Sequence, residues 1–303
     1  ATSKILNARG SEHTTPKERG VLAEQIIKQA AHPMSIDQGH HNTCNVATIE
    51  ARTYAKYPAR AAGLVADVAL SGEYTTASNQ KIKIADSSLK PDSEAKNNPV
   101  VDGDRSYASQ VFQVTAANIF WQEKKSDLQG NLKNPGDLRY VQEKPWSKIE
   151  GDTGERVKDY STNPEGQTIK SGSTKVIDPN LYAENMMQIS NEITGKDELR
   201  FILRHTELGW NHNLWNIRDQ QDLTTQMTRM KDSFPLIIQV HTRHEPFYTD
   251  SGEGKAGGSG GWHVVNITKY DPVTKEVTIS NQWGSKLDKK VKISDLYKAT
   301  KNP

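Results

Sequence analysis

A single cysteine in 303 residues excludes a disulfide framework within the chain and any zinc site built from several thiolates. No apolar run reaches the length of about 18 residues that a membrane-spanning helix needs, so no span is expected. Hydrophobic residues are few, at 34%, and mean hydropathy is -0.76, which implies a modest core and long polar loops. Neither charge sign dominates: 39 basic side chains face 37 acidic ones, for a net +2, and the two signs are interspersed. The basic cluster Lys286 to Lys292 alternates with apolar residues as a strand does, and no basic-aromatic pattern argues for nucleic acid. Internal repeats and low-complexity tracts are missing. His241-Thr242-Arg243-His244-Glu245 lacks the i, i+4 histidine spacing of a helical zinc motif, and Asp102-Gly103-Asp104 is no complete calcium loop, so neither a metal nor a cofactor is expected. A charged-then-apolar leader is also missing at Ala1, which fits a cytosolic protein or a mature exported one, with export slightly favoured. Oligomeric state has no signature here.

What is present reads as helices first and strands last. Residues 1–14 form a polar lead-in. Thr15-Pro16-Lys17-Glu18 is a capping box with proline at the first helical position, and the helix it opens runs to Ala31, before Pro33. This helix is expected to pack permanently on the core. The turn-rich stretch Asp37 to Thr43 leads into helical spacing that begins at Cys44. Another helix follows Pro58, with Gly72 past its end. A short hairpin pairs 74–76 with 82–84, and apolar residues at i, i+3 and i+4 mark a helix over 106–122. Residues 125–178, rich in Gly, Asn, Asp, Pro and Lys, read as a long irregular insertion. Helices over 180–193 and 219–231 precede strands at 236–242, 262–270, 276–281 and 289–293, with Ser294 capping a last short helix. The class is α+β, with an antiparallel sheet after the helical half.

Three segments carry chemistry. A thiolate is the reactive form of cysteine, and a helix N-terminus favours negative charge through its dipole and unpaired N–H groups; Cys44 sits there. Among nine histidines, His263 stands apart, because it follows Gly260-Gly261-Trp262 and opens a strand. The preceding glycine-rich loop lets backbone approach a substrate. Asn281 ends the next strand, in Asn281-Gln282-Trp283-Gly284, and two adjacent antiparallel strands can bring it to His263 to fix the imidazole's orientation. Gln38, six residues before Cys44, can offer its amide to an oxyanion together with the Cys44 N–H. His40 and His41 read as loop residues near the site. Glu245, Asp250 and Glu253 lie where they can shape a substrate entrance.

Taken together, Gln38-Gly39, Cys44, His263 and Asn281-Gln282-Trp283-Gly284 resemble the papain-like cysteine peptidases. The resemblance implies a helical part carrying the cysteine, packed on an antiparallel sheet carrying histidine and asparagine. It implies one catalytic domain over 1–303: a helical part at 16–122, an insertion at 123–178, then helices and sheet at 179–303. By the same resemblance Cys44 is the nucleophile, His263 the base and acid, Asn281 the orienter and Gln38 the oxyanion donor. Trp283 shields the His–Asn hydrogen bond, and Gly260, Gly261 and Trp262 join Trp283 in lining the substrate site. The sequence departs from the common pattern at three points. His41 stands where a second cysteine is usual, Asn45 where an aromatic is usual. His263 follows Cys44 by 219 residues (263 less 44), against roughly 130–150 in ordinary members. The likeness is therefore to a distant, bacterial-type branch with an enlarged middle. The implied activity is amide hydrolysis through a thioester, with a protein or peptide as substrate. The same triad could serve a glutamine deamidase, a transglutaminase or a peptidoglycan amidase, and a papain-fold binding module without turnover is the non-enzymatic alternative.

Overall fold

A computed structural model describes residues 1–163, 173–176, 178–247 and 260–303. Helix α1 (Thr2–Leu6) opens the chain where only a polar lead-in was expected; it forms because Ile5 is fully buried in the core. Helix α2 (Pro16–Ala31) begins with the expected capping box: Glu18 N–H donates to the Thr15 hydroxyl, and Thr15 N–H donates back to the Glu18 carboxylate. Helix α3 (Cys44–Lys56) is the centre of the molecule. Every residue from Asn45 to Tyr54 is buried, because the helix is enclosed by α4 (Pro58–Ser71), α5 (Tyr107–Glu123), α6 (Ala183–Thr194) and the main sheet. Gly72 closes α4 in the left-handed conformation that glycine accepts without strain.

Strands β1 (Glu73–Thr75) and β2 (Lys81–Lys83) form the small hairpin. The stretch expected to be irregular instead holds a three-stranded antiparallel sheet of β3 (Leu138–Gln142), β4 (Glu155–Asp159) and β5 (Ser173–Lys175). Its strands are short and lie among Gly, Asn and Lys residues. Leu138 and Tyr140 are buried on the side of β3 that packs on α5, a support that local pattern does not reveal.

The main sheet has six strands in the order β11-β10-β9-β8-β6-β7. These are β6 (Ile202–His205), β7 (Trp215–Ile217), β8 (Leu236–His241), β9 (Trp262–Asp271), β10 (Glu276–Ser280) and β11 (Lys289–Lys292). The expected antiparallel sheet is correct for β8 through β11. It is incomplete for β6, which pairs in parallel with both β7 and β8. Helices α7 (Gln220–Arg229) and α8 (Ile293–Ala299) pack on each other and against β7 and β8. Ser294 lies inside α8 rather than capping it; Lys292 holds the cap position. Among the described residues no helix is long and apolar enough to cross a membrane.

Two polar ties fix α3 on this sheet. Asn266 of β9, fully buried, donates its amide to the Thr48 carbonyl in mid-helix at 3.4 Å. Arg52 reaches the carbonyls of Ser233 and Pro235 ahead of β8, pairs with Glu198 at 3.0 Å and lies 4.3 Å from the centre of the Phe201 ring. A buried guanidinium that satisfies several acceptors at fixed angles has no lysine equivalent. Arg52→Ala is expected to cost about 3 kcal/mol or more in urea unfolding, and Arg52→Lys to recover less than half of that loss. Wild-type stability in either variant would show that the tie contributes nothing.

Candidate functional site

Thr43 occupies the cap position of α3 but makes no side-chain cap; its hydroxyl donates instead to Gln113 Oε1 at 2.7 Å. The Val46 N–H is taken by Asn45 Oδ1, and the N–H groups of Cys44 and Asn45 reach the Cys44 sulfur. The Val264 N–H, from β9, reaches it as well. Burial nevertheless pushes the thiol up to about 11, outweighing these donors, and Asp178 adds to the rise. The thiol is therefore neutral at rest, contrary to the lowered value that its helix position alone implies.

Burial likewise pushes His263 down to about 4, against the support of Asn281, so its imidazole is also neutral. Its tautomer follows from geometry. Asn281 Oδ1 accepts the Trp283 backbone N–H at 3.3 Å, which identifies that atom as oxygen, and the same atom lies 3.0 Å from His263 Nε2. An oxygen acceptor there requires the proton on Nε2, which leaves the lone pair on Nδ1. Trp283 stacks on the imidazole with ring centres 3.9 Å apart and planes 17° from parallel, so the His–Asn bond is sheltered on that face.

Cys44 and His263 line one cleft of ≈ 710 Å³, and Gln38, Gly260, Gly261, Trp262 and Trp283 line it too. Gln38 donates one amide hydrogen to the His41 carbonyl at 2.5 Å, and the same nitrogen carries a second. The Gln38 backbone N–H donates to the Gln282 carbonyl at 2.8 Å, so the loop before the cysteine is fastened to the turn after Asn281. Gly261 continues the β8–β9 pairing through Thr242: the Thr242 N–H donates to the Gly261 carbonyl, and the Gly261 N–H to the Thr242 hydroxyl. Trp262 is 37% exposed and meets His241 edge-on. Of the proposed entrance residues, Glu245 is not among the cleft's lining, and Asp250 and Glu253 lie outside the described residues.

Several residues of the site went unread in the sequence. Asp288 accepts the Asn281 N–H at 2.7 Å and Asp102 the Ser285 N–H at 2.9 Å, so two carboxylates pin the turn that carries the orienting amide. Arg204 and Gln239 also line the cleft. Their only sequence signal is a polar residue inside an apolar strand.

His41 lies in the loop before α3, as expected, but it is fully buried. Its Nε2 lies 3.0 Å from Asp92 and 3.2 Å from Glu94. Its Nδ1 lies 3.1 Å from Glu155 of β4, though off the line of a well-formed hydrogen bond. Arg105 joins the group at 2.9 Å from Asp92 and 3.4 Å from Glu155. Burial and Arg105 push the imidazole toward neutrality, but the carboxylates outweigh them and hold it at about 10. Although burial opposes ionisation, His41 and Arg105 keep Asp92 and Glu155 below the usual carboxylate range, and His40, His41 and Arg105 do the same for Glu94. Gly39 is left-handed, at φ +66°, and a Cβ there would lie 2.1 Å from the Glu94 carboxylate, so the loop can follow this path only with glycine. The donors of His41, Asp92 and Glu94, like those of His40, Glu94 and Asp104, are close enough to one another to hold a cation. In the first set, the charges of Arg105 and protonated His41 already answer the carboxylates, which makes it an ion network rather than a metal cage.

No family model, no curated protein and no solved structure matches the chain.

Because His41 holds its proton far more tightly folded than unfolded, its contribution is present below about pH 6.5 and lost as pH rises toward 10. His41→Gln is expected to lower stability by about 3–5 kcal/mol at neutral pH and to flatten the decline between pH 7 and 10. Equal slopes in the two proteins would show that His41 is not charged in the fold.

Proposed function

We propose that this chain is a thiol-dependent hydrolase of the papain-like kind, which opens amide bonds in peptides or proteins through a thioester on Cys44. The observation that carries the reading is the fixed tautomer of His263. With Nε2–H committed to Asn281 Oδ1, the basic lone pair is left on Nδ1, and His263 and Cys44, at the tip of α3, line the same cleft. A strand histidine with only a packing role has no need of an orienting amide on a residue whose backbone is held by a carboxylate.

The steps follow from neutral partners. As the Cys44 sulfur attacks the amide carbon, its proton passes to His263 Nδ1, so no ion pair is needed beforehand. The Cys44 N–H and the second Gln38 amide hydrogen face the carbonyl oxygen as it becomes an oxyanion. The imidazolium, held by Asn281, returns its proton to the leaving amine and the C–N bond breaks. Water then attacks the thioester, giving one proton to His263, which passes it to the departing sulfur. The products are an amine and a carboxylic acid, and the thiol is restored.

Cys44→Ala is expected to abolish cleavage of a diverse peptide library with the fold intact, and Gln38→Ala to slow it about 10²–10³-fold. Ammonia release without chain cleavage would point to deamidation by the same residues. Alkylation of Cys44 by iodoacetamide separates assisted from unassisted attack. Its rate should fall only as pH drops toward 4, where His263 takes a proton, and should stay level through pH 5 to 8. In His263→Ala it should be slow until strongly alkaline pH, where the half-buried thiol ionises unaided. A wild-type rate that climbs about a pH of 8.5, as for a free thiol, would remove His263 as the base.

A further inference from the structure

We infer that Arg204 is a specificity-determining residue: together with Gln239 and Val264 it floors a pocket that takes a carboxylate-bearing side chain of the substrate, glutamate above all. This rests on the amide-hydrolase reading, and it names the substrate class of the same site.

The placement comes from register. In the parallel pair β6–β8, Ile202 lies beside Ile237 and Leu203 beside Ile238, so Arg204 falls beside Gln239. In the antiparallel pair β8–β9, Gln239 lies opposite Val264 and Val240 opposite His263. Residues level with one another on adjacent strands share a face of the sheet. Arg204, Gln239 and Val264 therefore form one row across three strands, and all three line the cleft. The row starts at the nucleophile, since the Val264 N–H reaches the Cys44 sulfur. It ends two strand spacings away, roughly 10 Å, at a guanidinium. That is the reach of a side chain on a residue adjoining the scissile bond, not of the bond itself.

The chemistry of the row selects the occupant. Arg204 is 9% exposed, and its Nε, fully covered, has no hydrogen-bond partner. Its Nη2 donates to the Gly209 carbonyl at 2.9 Å, and its Nη1 makes a single-point contact of 3.2 Å with the half-exposed Glu184. A guanidinium has five N–H donors, so these contacts leave capacity for a further acceptor. A charge-assisted hydrogen bond to an incoming carboxylate would use that capacity. Gln239, half-buried beside it, makes no side-chain hydrogen bond to another described residue and offers a second donor. Leu181, Met186 and Leu208 supply apolar wall for the methylenes of the same side chain. Asp178 also lines the cleft, but its charge acts on the Cys44 end.

The test measures binding of two sets of four peptides to the Cys44→Ala protein, one set varying Glu, Gln, Leu or Lys at the residue preceding the scissile bond and the other at the one before that, with cleavage of the same sets by wild type. Glu peptides should bind and turn over at least tenfold better than Leu or Lys at one of the two positions. Arg204→Met should reverse the order of Glu and Leu, and Glu184→Gln, which removes the competing carboxylate, should widen the preference for Glu several-fold. Cys44-dependent cleavage with Leu or Lys ranked above Glu would overturn the pocket and leave the hydrolase standing. Binding ranked as expected without any cleavage would do the reverse. An unchanged ranking in both variants, or no binding by any peptide, would overturn the pocket.

Discussion

A hydrogen bond of 3.0 Å between His263 and Asn281 sets the state of the imidazole in the cleft. Left to itself, a buried neutral imidazole exchanges tautomers and ring orientations of similar energy. Here the Trp283 backbone N–H fixes the Asn281 oxygen, that oxygen fixes the proton on Nε2, and the Trp283 ring lies flat on the imidazole. Asp288 holds the Asn281 backbone in turn. Each contact removes a freedom that the previous one leaves open, and the outcome is a lone pair on Nδ1.

The cysteine is held with equal care from the other side. Its loop contributes His41 to a buried cluster with Asp92, Glu94, Arg105 and Glu155, whose members come from four separate parts of the chain. Such clusters gain little net stability over apolar packing, because taking charges from water is costly, but they tolerate few alternative arrangements. Glu155 belongs to β4, so the three-stranded sheet in the middle of the sequence bears directly on the loop before Cys44. Gly39 shows how close the fit is: a methyl group there would meet Glu94.

Much of this is legible in the sequence where the signal is local. The turn-rich run before Cys44, the capping box at Thr15 and the alternation of β9 and β10 each reflect forces between residues a few positions apart. Strands β3 to β7 are three to five residues long and owe their form to partners elsewhere, so periodicity gives no purchase on them. The parallel pairing of β6 has the same cause. His41 looked like a polar loop residue because its three carboxylates stand 51, 53 and 114 positions away. The neutral resting state of the thiol was also out of reach: helix position predicts a lowered value, while desolvation by the surrounding fold works against it.

Nitrogen NMR of the protein with ¹⁵N-labelled histidine reads the imidazole state directly. At pH 7, His263 should show a protonated Nε2 and an unprotonated Nδ1, and should keep that pattern until pH falls toward 4. A proton on Nδ1, or an imidazolium at neutral pH, would contradict the arrangement on which the proposed chemistry rests.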